Sequence, residues 1–441
     1  MSASVHLDVI VVGGGIAGLT AALALRRGGH TVTVVESSSW LREAGAAVVV
    51  PPNATRPLMS LGIDVAKDVK AAPFKNTLEY HFATTDKPPK FGKGGDGEQV
   101  PWAREALNYP DIFFFSHRVD LHDALKKKCI SEDGPGEPVR VLLSSRVVAW
   151  DPAGSIKLQN GTELFADLIV AADGIHSLAH EAILGRRVPA IPSGVTTMRF
   201  LLKTERLLND PVTAPMMDDG GGCFAFYVAA DRKTDELQNF GAYGVTGTGA
   251  PPTLTGELLS KDALLERLSV LPPMFRALGE MAEDKVADWK IGDREPLPTY
   301  YRDRLVLIGD AAHPMYPRQG QGAAQSIEDG ATLGVLMSGL QSKSDLTHRL
   351  MLNDQLRVRR TSIVQVLSRT RIATVEDRVI LPDKATQLFS PEPAPVNQEQ
   401  IAKFLWSYDC VEHTQSLLDS SILSTTWPEP PQISEVLRVN L

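Results

Sequence analysis

The sequence predicts an α/β fold: a Rossmann-like dinucleotide-binding domain with a mixed sheet, a second domain built on an antiparallel sheet, and C-terminal helices. Three observations predict it. Residues 9–18 read Val-Ile-Val-Val-Gly-Gly-Gly-Ile-Ala-Gly, an apolar strand running into glycines at G-x-G-x-x-G spacing. Two later apolar runs, Leu168 to Ala172 and Leu305 to Ile308, close on Asp173-Gly174 and Gly309-Asp310. Between them, residues 190–300 change to strand-like stretches split by glycine and proline, the pattern of an antiparallel sheet with helices.

At 441 residues the chain has room for two joined domains with large cores. Its 43% apolar and 22% charged residues fit a globular protein, and the formal net charge of −8 argues against a nucleic-acid surface. No run approaches the roughly 20 apolar residues that cross a membrane. The scattered cysteines Cys129, Cys223 and Cys410 suit a reducing compartment, the cytoplasm, without a disulfide framework. Cys and His show no metal-ligand spacing.

Taken in order, Val9 to Val12 is a buried parallel strand and Leu19 to Arg27 a helix of strong helix formers. Gly13 permits the tight turn between them. Gly15 has no Cβ and lets a pyrophosphate approach, and Gly18 lets the helix sit close to the sheet. The helix N-terminus offers free N–H groups and partial positive charge to phosphates. Thr31 to Val35 is the second strand and ends in Glu36, an acid placed to accept from a ribose hydroxyl pair. A secretory leader is not read here, because Asp8 is the only charge before the run and glycines interrupt it.

Small residues then lead through Arg42 to Val48-Val49-Val50, with Asn53 as N-cap of a helix reaching Leu61. Residues 83–111, rich in Gly, Pro, Lys and Asp, read as a surface excursion. Ile112 to Phe115 is a strand and Val119 to Cys129 a helix. Short strands follow at Val139 to Ser144, Val147 to Trp150, Ile156 to Gln159 and Glu163 to Phe165, with Asn160-Gly161 as a type I′ turn. In the 190–300 block, Val195 to Lys203, Cys223 to Ala229 and Phe240 to Val245 are strand-like, and Lys261 to Leu271 is a helix broken at Pro272-Pro273. Gly244, Gly247 and Gly249 read as a loop, since no helix follows them. Ala323 to Leu340 and Leu346 to about Val379 are long helices, the second carrying Arg357, Arg359 and Arg360 on its outer faces. Gln398 to Trp406 is amphipathic, within what is otherwise a terminal wrap.

In a doubly wound sheet, ligands collect at the carboxyl ends of strands, so the three marked ends point to one extended cofactor. Together the motifs resemble those of the group A flavin-dependent aromatic monooxygenases, the family of para-hydroxybenzoate and salicylate hydroxylases, in its fungal secondary-metabolism branch. The resemblance covers residues 8 to about 370. It implies an FAD-binding domain in three parts, 1–80, 112–189 and 301–345. The excursion 81–111 and a substrate domain at 190–300 interrupt it, and a helical region at 346–441 follows. By this resemblance, Gly13, Gly15, Gly18 and Glu36 hold the AMP half of FAD. Asp173-Gly174-Ile175-His176-Ser177-Leu178-Ala179-His180 matches D-G-x-x-S-x-x-R, which serves FAD and the visiting NAD(P)H; His180 stands where the arginine is usual. Gly309 to Pro314 and Pro317 to Gly322 match G-D-A-A-H-x-x-x-P-x-x-G-Q-G. From that match, Asp310 accepts from the ribityl chain, and Gly322 and Ala323 open a helix aimed at the flavin N1–C2=O edge. Arg118 matches an arginine that contacts the cofactor, and Arg42 and the backbone near Val49 lie in the stretch following the flavin. Rival readings stand beside these: a helix cap for Asp310, a surface ion pair for Arg118, solvent for Arg42.

The resemblance implies that NAD(P)H reduces FAD, that O2 then gives a flavin C4a-hydroperoxide, and that its distal oxygen passes to an electron-rich carbon. Arg199 and Tyr227 match substrate-facing positions, with Arg199 suited to hold a phenolate. Their rivals are a domain-seam salt bridge and a core aromatic. Gly45-Ala46-Ala47-Val48 lacks the acid that indole-oxidising relatives carry. Hydroxylation of a phenolic or polyketide ring is the first expectation; epoxidation of an indole or prenyl double bond, as in an alkaloid, is the second. A flavin oxidase and a non-catalytic dinucleotide-binding protein are rivals of other classes. The expected partners are a small aromatic or alkaloid substrate and O2, without nucleic acid, and the expected state is a monomer or homodimer.

Overall fold

Parallel pairing of short apolar strands builds the central sheet. The computed structural model describes residues 5–39, 47–73, 79–81, 90–92, 112–214, 237–245, 257–269, 273–369, 387–390 and 393–423. The opening unit is β1 (Asp8–Val12), α1 (Ile16–Arg27) and β2 (Thr31–Val35). Val9 and Val11 enter one core and Ile10 and Val12 another, so both sheet faces are covered. That is why the run is apolar without alternation.

β3 (Ala47–Val50), α2 (Pro52–Ser60), β4 (Ala72–Pro73), β5 (Glu79–His81), β6 (Lys90–Gly92), β7 (Phe114–His117) and α3 (Arg118–Ile130) follow. β3 and β4 flank β7 in a small sheet, and β5 pairs with β6. Next come β8 (Arg140–Leu142), the meander β9 (Val147–Asp151), β10 (Ser155–Leu158) and β11 (Glu163–Phe165), and then β12 (Leu168–Ala171). α4 (Ala179–Leu184) leads to β13 (Ile191–Lys203), α5 (Thr204–Leu208), β14 (Leu237–Val245), β15 (Glu257–Ser260), α6 (Lys261–Leu268), α7 (Pro273–Met281) and β16 (Lys285–Asp293). The chain closes with β17 (Tyr301–Arg302), β18 (Leu305–Leu307), α8 (Gly322–Met337), α9 (Asp345–Arg369), α10 (Gln398–Trp406) and α11 (Cys410–Leu423).

The main sheet runs β17-β18-β12-β1-β2-β8, parallel except for β17 at the edge. The second sheet, β14-β13-β16-β15, is antiparallel throughout, and Ile191 opposite Asp293 marks where the chain enters and leaves it. This is the mixed α/β fold with an antiparallel second sheet and C-terminal helices that the sequence predicts. α1 and α8 cross closely because α8 presents glycine: a Cβ on Gly330 would lie 2.6 Å from Ala21 N, and one on Gly334 2.4 Å from Ala24 Cβ.

Several local expectations are corrected. The Asn160-Gly161 hairpin is not type I′. Leu158 N–H reaches Thr162 O, and Gly161 alone has positive φ, +90°, so a three-residue loop with a glycine bulge joins the strands. Asn53 is not the N-cap of α2; Pro51 holds that place, and Pro52 fixes the first helical φ. Arg357 and Arg360 do not face outward but are buried, while Arg359 is half-buried and donates to the carbonyls of Leu388, Phe389 and Ser390. Pro273 starts α7 rather than only ending a helix, and Gly244 lies in β14. β16 and α11 were not anticipated. Arg42, Tyr227, the Cys223–Ala229 stretch, Gly247, Gly249 and the predicted helix beyond residue 369 lie outside the described residues.

Candidate active site

Strand order decides where the motifs meet. β18, β12, β1 and β2 are consecutive neighbours, with Val12 opposite both Val35 and Ala171, and Ala171 opposite Leu307. Their carboxyl ends therefore stand level, and Asp310, Asp173, Gly13 and Glu36 follow them in one row. At about 4.8 Å per strand the row spans roughly 15 Å, the scale of an extended dinucleotide.

The glycine loop is fixed by its neighbours. Gly13 has φ +104°, and a Cβ there would lie 2.3 Å from Ala172 O; its N–H donates to Val35 O at 2.8 Å. A Cβ on Gly18 would meet Gly13 O at 1.9 Å. Gly15, by contrast, has open space within 4 Å of where a Cβ would be, at the N-cap of α1. The loop thus needs glycine for packing on either side and leaves room at its centre, beside free helix N–H groups, for a phosphate. Glu36 accepts from Gly14 N–H at 2.7 Å and Ser38 N–H at 2.6 Å. Burial works against its charge, but those N–H groups outweigh it and hold its pKa below the usual range. His122 of α3, fully buried, contacts Gly14 O through Nε2 at 2.7 Å.

The other two strand ends carry exposed acids hemmed in by protein. Burial among protein atoms pushes the Asp173 carboxyl up to about 6, against the Ser177 hydroxyl, its own N–H and the charge of Arg294. It also raises Asp310, against His313, Arg118 and Arg294. Yet both residues expose much of their surface to solvent. Crowding together with exposure is what the wall of a deep groove produces, and both carboxylates are open to a ligand. Asp310 caps nothing: Ile308 precedes its 3-10 turn, Gly309–Ala311, and no side chain caps it.

Arg118 opens α3, half-buried, and its charge acts on Asp310. Val49 lies half-buried on β3, 3.3 Å from where a Cβ on Gly320 would sit. Gly322 and Ala323, both half-buried, begin α8. Arg199 on β13 donates through Nη1 to Ala47 O of β3 at 3.4 Å, so the second sheet touches the stretch beside the groove. His180 is buried, and burial with the charge of Arg294 lowers its pKa.

Sequence reasoning missed two contributors. Arg294 donates to Ile175 O and Ala311 O, one carbonyl in each acid-bearing loop. Asp329 accepts from Gly309 N–H at 2.8 Å and pairs with His313 Nε2 at 2.6 Å, holding the third motif from behind. Both act on backbone far away in sequence, so no local pattern marks them. Among the described residues no group of His, Cys, Asp and Glu could hold a metal ion, and no helix is long and apolar enough to cross a membrane.

These residues fit FAD: open backbone at Gly15 for the pyrophosphate, an ionised Glu36 at one end of the row and solvent-facing acids at the other. Comparison with known proteins agrees. Two family profiles, each described as an FAD binding domain, match residues 8–53 and 153–343. The FAD-dependent monooxygenase phomE′ of Diaporthe leptostromiformis is 31% identical over 404 residues, covering 87% of this chain and 96% of its own. Hispidin-3-hydroxylase of Neonothopanus nambi is 31% identical over 379 residues, covering 81% and 86%. In fold, the chain superposes on the crystal structure of CtdE in complex with FAD and a substrate with a TM-score of 0.73, at 22% identity over 94% of this chain and 98% of that one. Similarity of this extent places the chain in the family of FAD-dependent monooxygenases.

Proposed function

We propose that the enzyme takes electrons from NAD(P)H and one oxygen atom from O2 to hydroxylate an electron-rich phenolic or polyketide ring in secondary metabolism. The observations that support this reading are the row of four strand ends and the contact that Arg199, on the second sheet, makes with Ala47 O of β3. When bound, FAD supplies the electron transfer and oxygen activation. The chain's residues do the rest. Glu36, kept ionised by Gly14 and Ser38, takes the ribose hydroxyls. The N-terminus of α1 faces the pyrophosphate across Gly15. Asp310, with Arg118 and Asp173 beside it, takes the hydroxyls of the ribityl chain. Gly322 and Ala323 turn the positive end of α8 toward negative charge on the ring system. Arg199 holds the substrate phenolate, so the ring carbon to be attacked gains electron density. Tyr227, by its position in the sequence, makes a second substrate contact. The relative named hispidin-3-hydroxylase supports hydroxylation over epoxidation.

The test is oxygen uptake with NADH or NADPH across a panel of phenols, indoles and prenylated alkaloids, with 18O2 and mass spectrometry of the product. A single 18O in a phenolic ring is expected. Label in an epoxide, or peroxide release without any NAD(P)H requirement, would replace this reading with epoxidase or oxidase.

A further inference from the structure

Arg294 follows directly on β16, at the point where the chain leaves the second sheet. Its side chain is 1% exposed. Nη1 donates to Ala311 O at 2.7 Å and Nη2 to Ile175 O at 3.0 Å. Ile175 lies just after Asp173 and Ala311 just after Asp310, so one planar group spans both acid-bearing loops. The residue is itself held: its carbonyl accepts from Gln365 Nε2 and Arg369 Nη2 of α9, each at 3.0 Å. Nε is buried without a partner. Burying a guanidinium against two neutral carbonyls is costly, and a fold built for stability alone gains little from it.

We propose that Arg294 is a positioning residue for the cofactor site: its guanidinium clamps the loops after β12 and β18 in mutual register and faces their acids, Asp173 and Asp310, with a fixed positive charge. The inference rests on the reading that these acids bind FAD. The charged surroundings agree. Burial depresses the pKa of Arg294, while Asp173, Asp310 and Tyr300 oppose that. Asp173 feels Ser177, Arg294 and Glu36; Asp310 feels His313, Arg118, Arg294 and Asp329. The charge of Arg294 acts on both acids. An Asp that accepts from cofactor hydroxyls must be ionised to accept fully, so this charge tunes the pH range over which the groove holds FAD.

The test uses the full-length holoenzyme. FAD retained after desalting is measured against pH, and the FAD release rate is measured by fluorescence near pH 8. In the wild type, retention should fall as pH drops through the Asp173 value of about 6. Arg294→Gln should move that midpoint up by about one pH unit and quicken release about tenfold. Arg294→Lys keeps the charge but cannot bridge two carbonyls, so the midpoint should stay while release quickens. Arg369→Gln loosens the same backbone and leaves the Arg294 charge in place; it should lower Tm without moving the midpoint. An unshifted midpoint in folded Arg294→Gln, or an equal shift in Arg369→Gln, overturns the proposal. If Arg294→Gln does not fold, Arg294→Lys decides, and wild-type release from it overturns the proposal. Asp310→Ala separates this inference from its foundation. If that variant keeps FAD like the wild type, the reading of the acids fails; if it loses FAD while the Arg294 variants do not, only the role of Arg294 fails.

Discussion

Asp310 shows how a single side chain reveals its purpose through what it costs. Burial raises its pKa despite three nearby positive or protonatable groups, His313, Arg118 and Arg294. A raised carboxyl favours folding fully below its unfolded pKa and loses that contribution as pH rises through the folded value. At neutral pH, above its unfolded value, the carboxyl therefore works against the FAD-free fold. Replacing it with alanine should leave the melting temperature of FAD-free protein at that pH unchanged or higher, while FAD occupancy falls about tenfold or more. A helix cap would behave in the opposite way, losing about 1 kcal/mol on truncation. Calorimetry of the FAD-free form and flavin absorbance of the purified holoenzyme measure the two effects; a lower Tm with unchanged flavin would return Asp310 to a structural role. Arg199 is open to a similar separation. Its bond to Ala47 O, at 3.4 Å, is long and weak. Arg199→Ala should therefore leave flavin content near normal and reduce product formation about a hundredfold. Equal activity in the variant would make it a seam contact only.

Among the elements, the ones legible in the sequence are those whose signals are local. Val9 to Gly18 names its strand, turn and helix because Gly13 meets backbone of the adjacent strand's end and Gly18 meets Gly13 itself, while Gly15 stands in open space. β16 gave no such signal. Lys285, Asp288 and Lys290 break its apolar pattern, yet it pairs on both sides, and Asp288 is buried against Arg267 of α6 at 2.9 Å. α11 was hidden likewise, since its short apolar stretches gain a face only where α8 lies beside them. The α1–α8 crossing was half legible: small residues in α8 are visible in sequence, but their partner face is not. Here Gly334 is decisive, because a side chain would have to displace Ala24. Gly334→Val should destabilise by about 1–3 kcal/mol through overpacking. Urea unfolding would show a lower midpoint with an unchanged slope; a wild-type midpoint would mean the two helices separate freely.

Across the whole molecule, one buried polar cluster joins the cofactor domain to the C-terminal helices. Glu328 and Asp329 of α8 meet Arg357 and Arg360 of α9. Asn53 of α2 donates to Glu328 at 2.7 Å, His313 pairs with Asp329, and Arg360 reaches Leu405 O of α10 at 3.0 Å. The arginines read as an outer face in the sequence because a run of Arg is usually solvated; what turns them inward is a pair of acids one helix away. Burial works against the Asp329 charge, but His313 and Arg357 outweigh it and hold its pKa down to about 2; Arg360 and Arg357 likewise lower Glu328. A depressed carboxyl contributes stability above its unfolded pKa, near 3.8 for Asp329, and loses it as pH falls toward about 2. The acid limb of the stability curve should therefore be steep in that window, and Asp329→Asn should flatten it there. Removing one acid also strands buried guanidinium charge, so Glu328→Gln should cost about 3–5 kcal/mol at neutral pH. Because Asp329 also holds Gly309 N–H behind the third motif, Asp329→Asn should loosen FAD as well as the fold. Denaturant titrations at several pH values, each with flavin content measured on the same samples, would separate these effects. A variant equally steep between about pH 4 and 2 would show that the cluster's charge is not what the fold depends on.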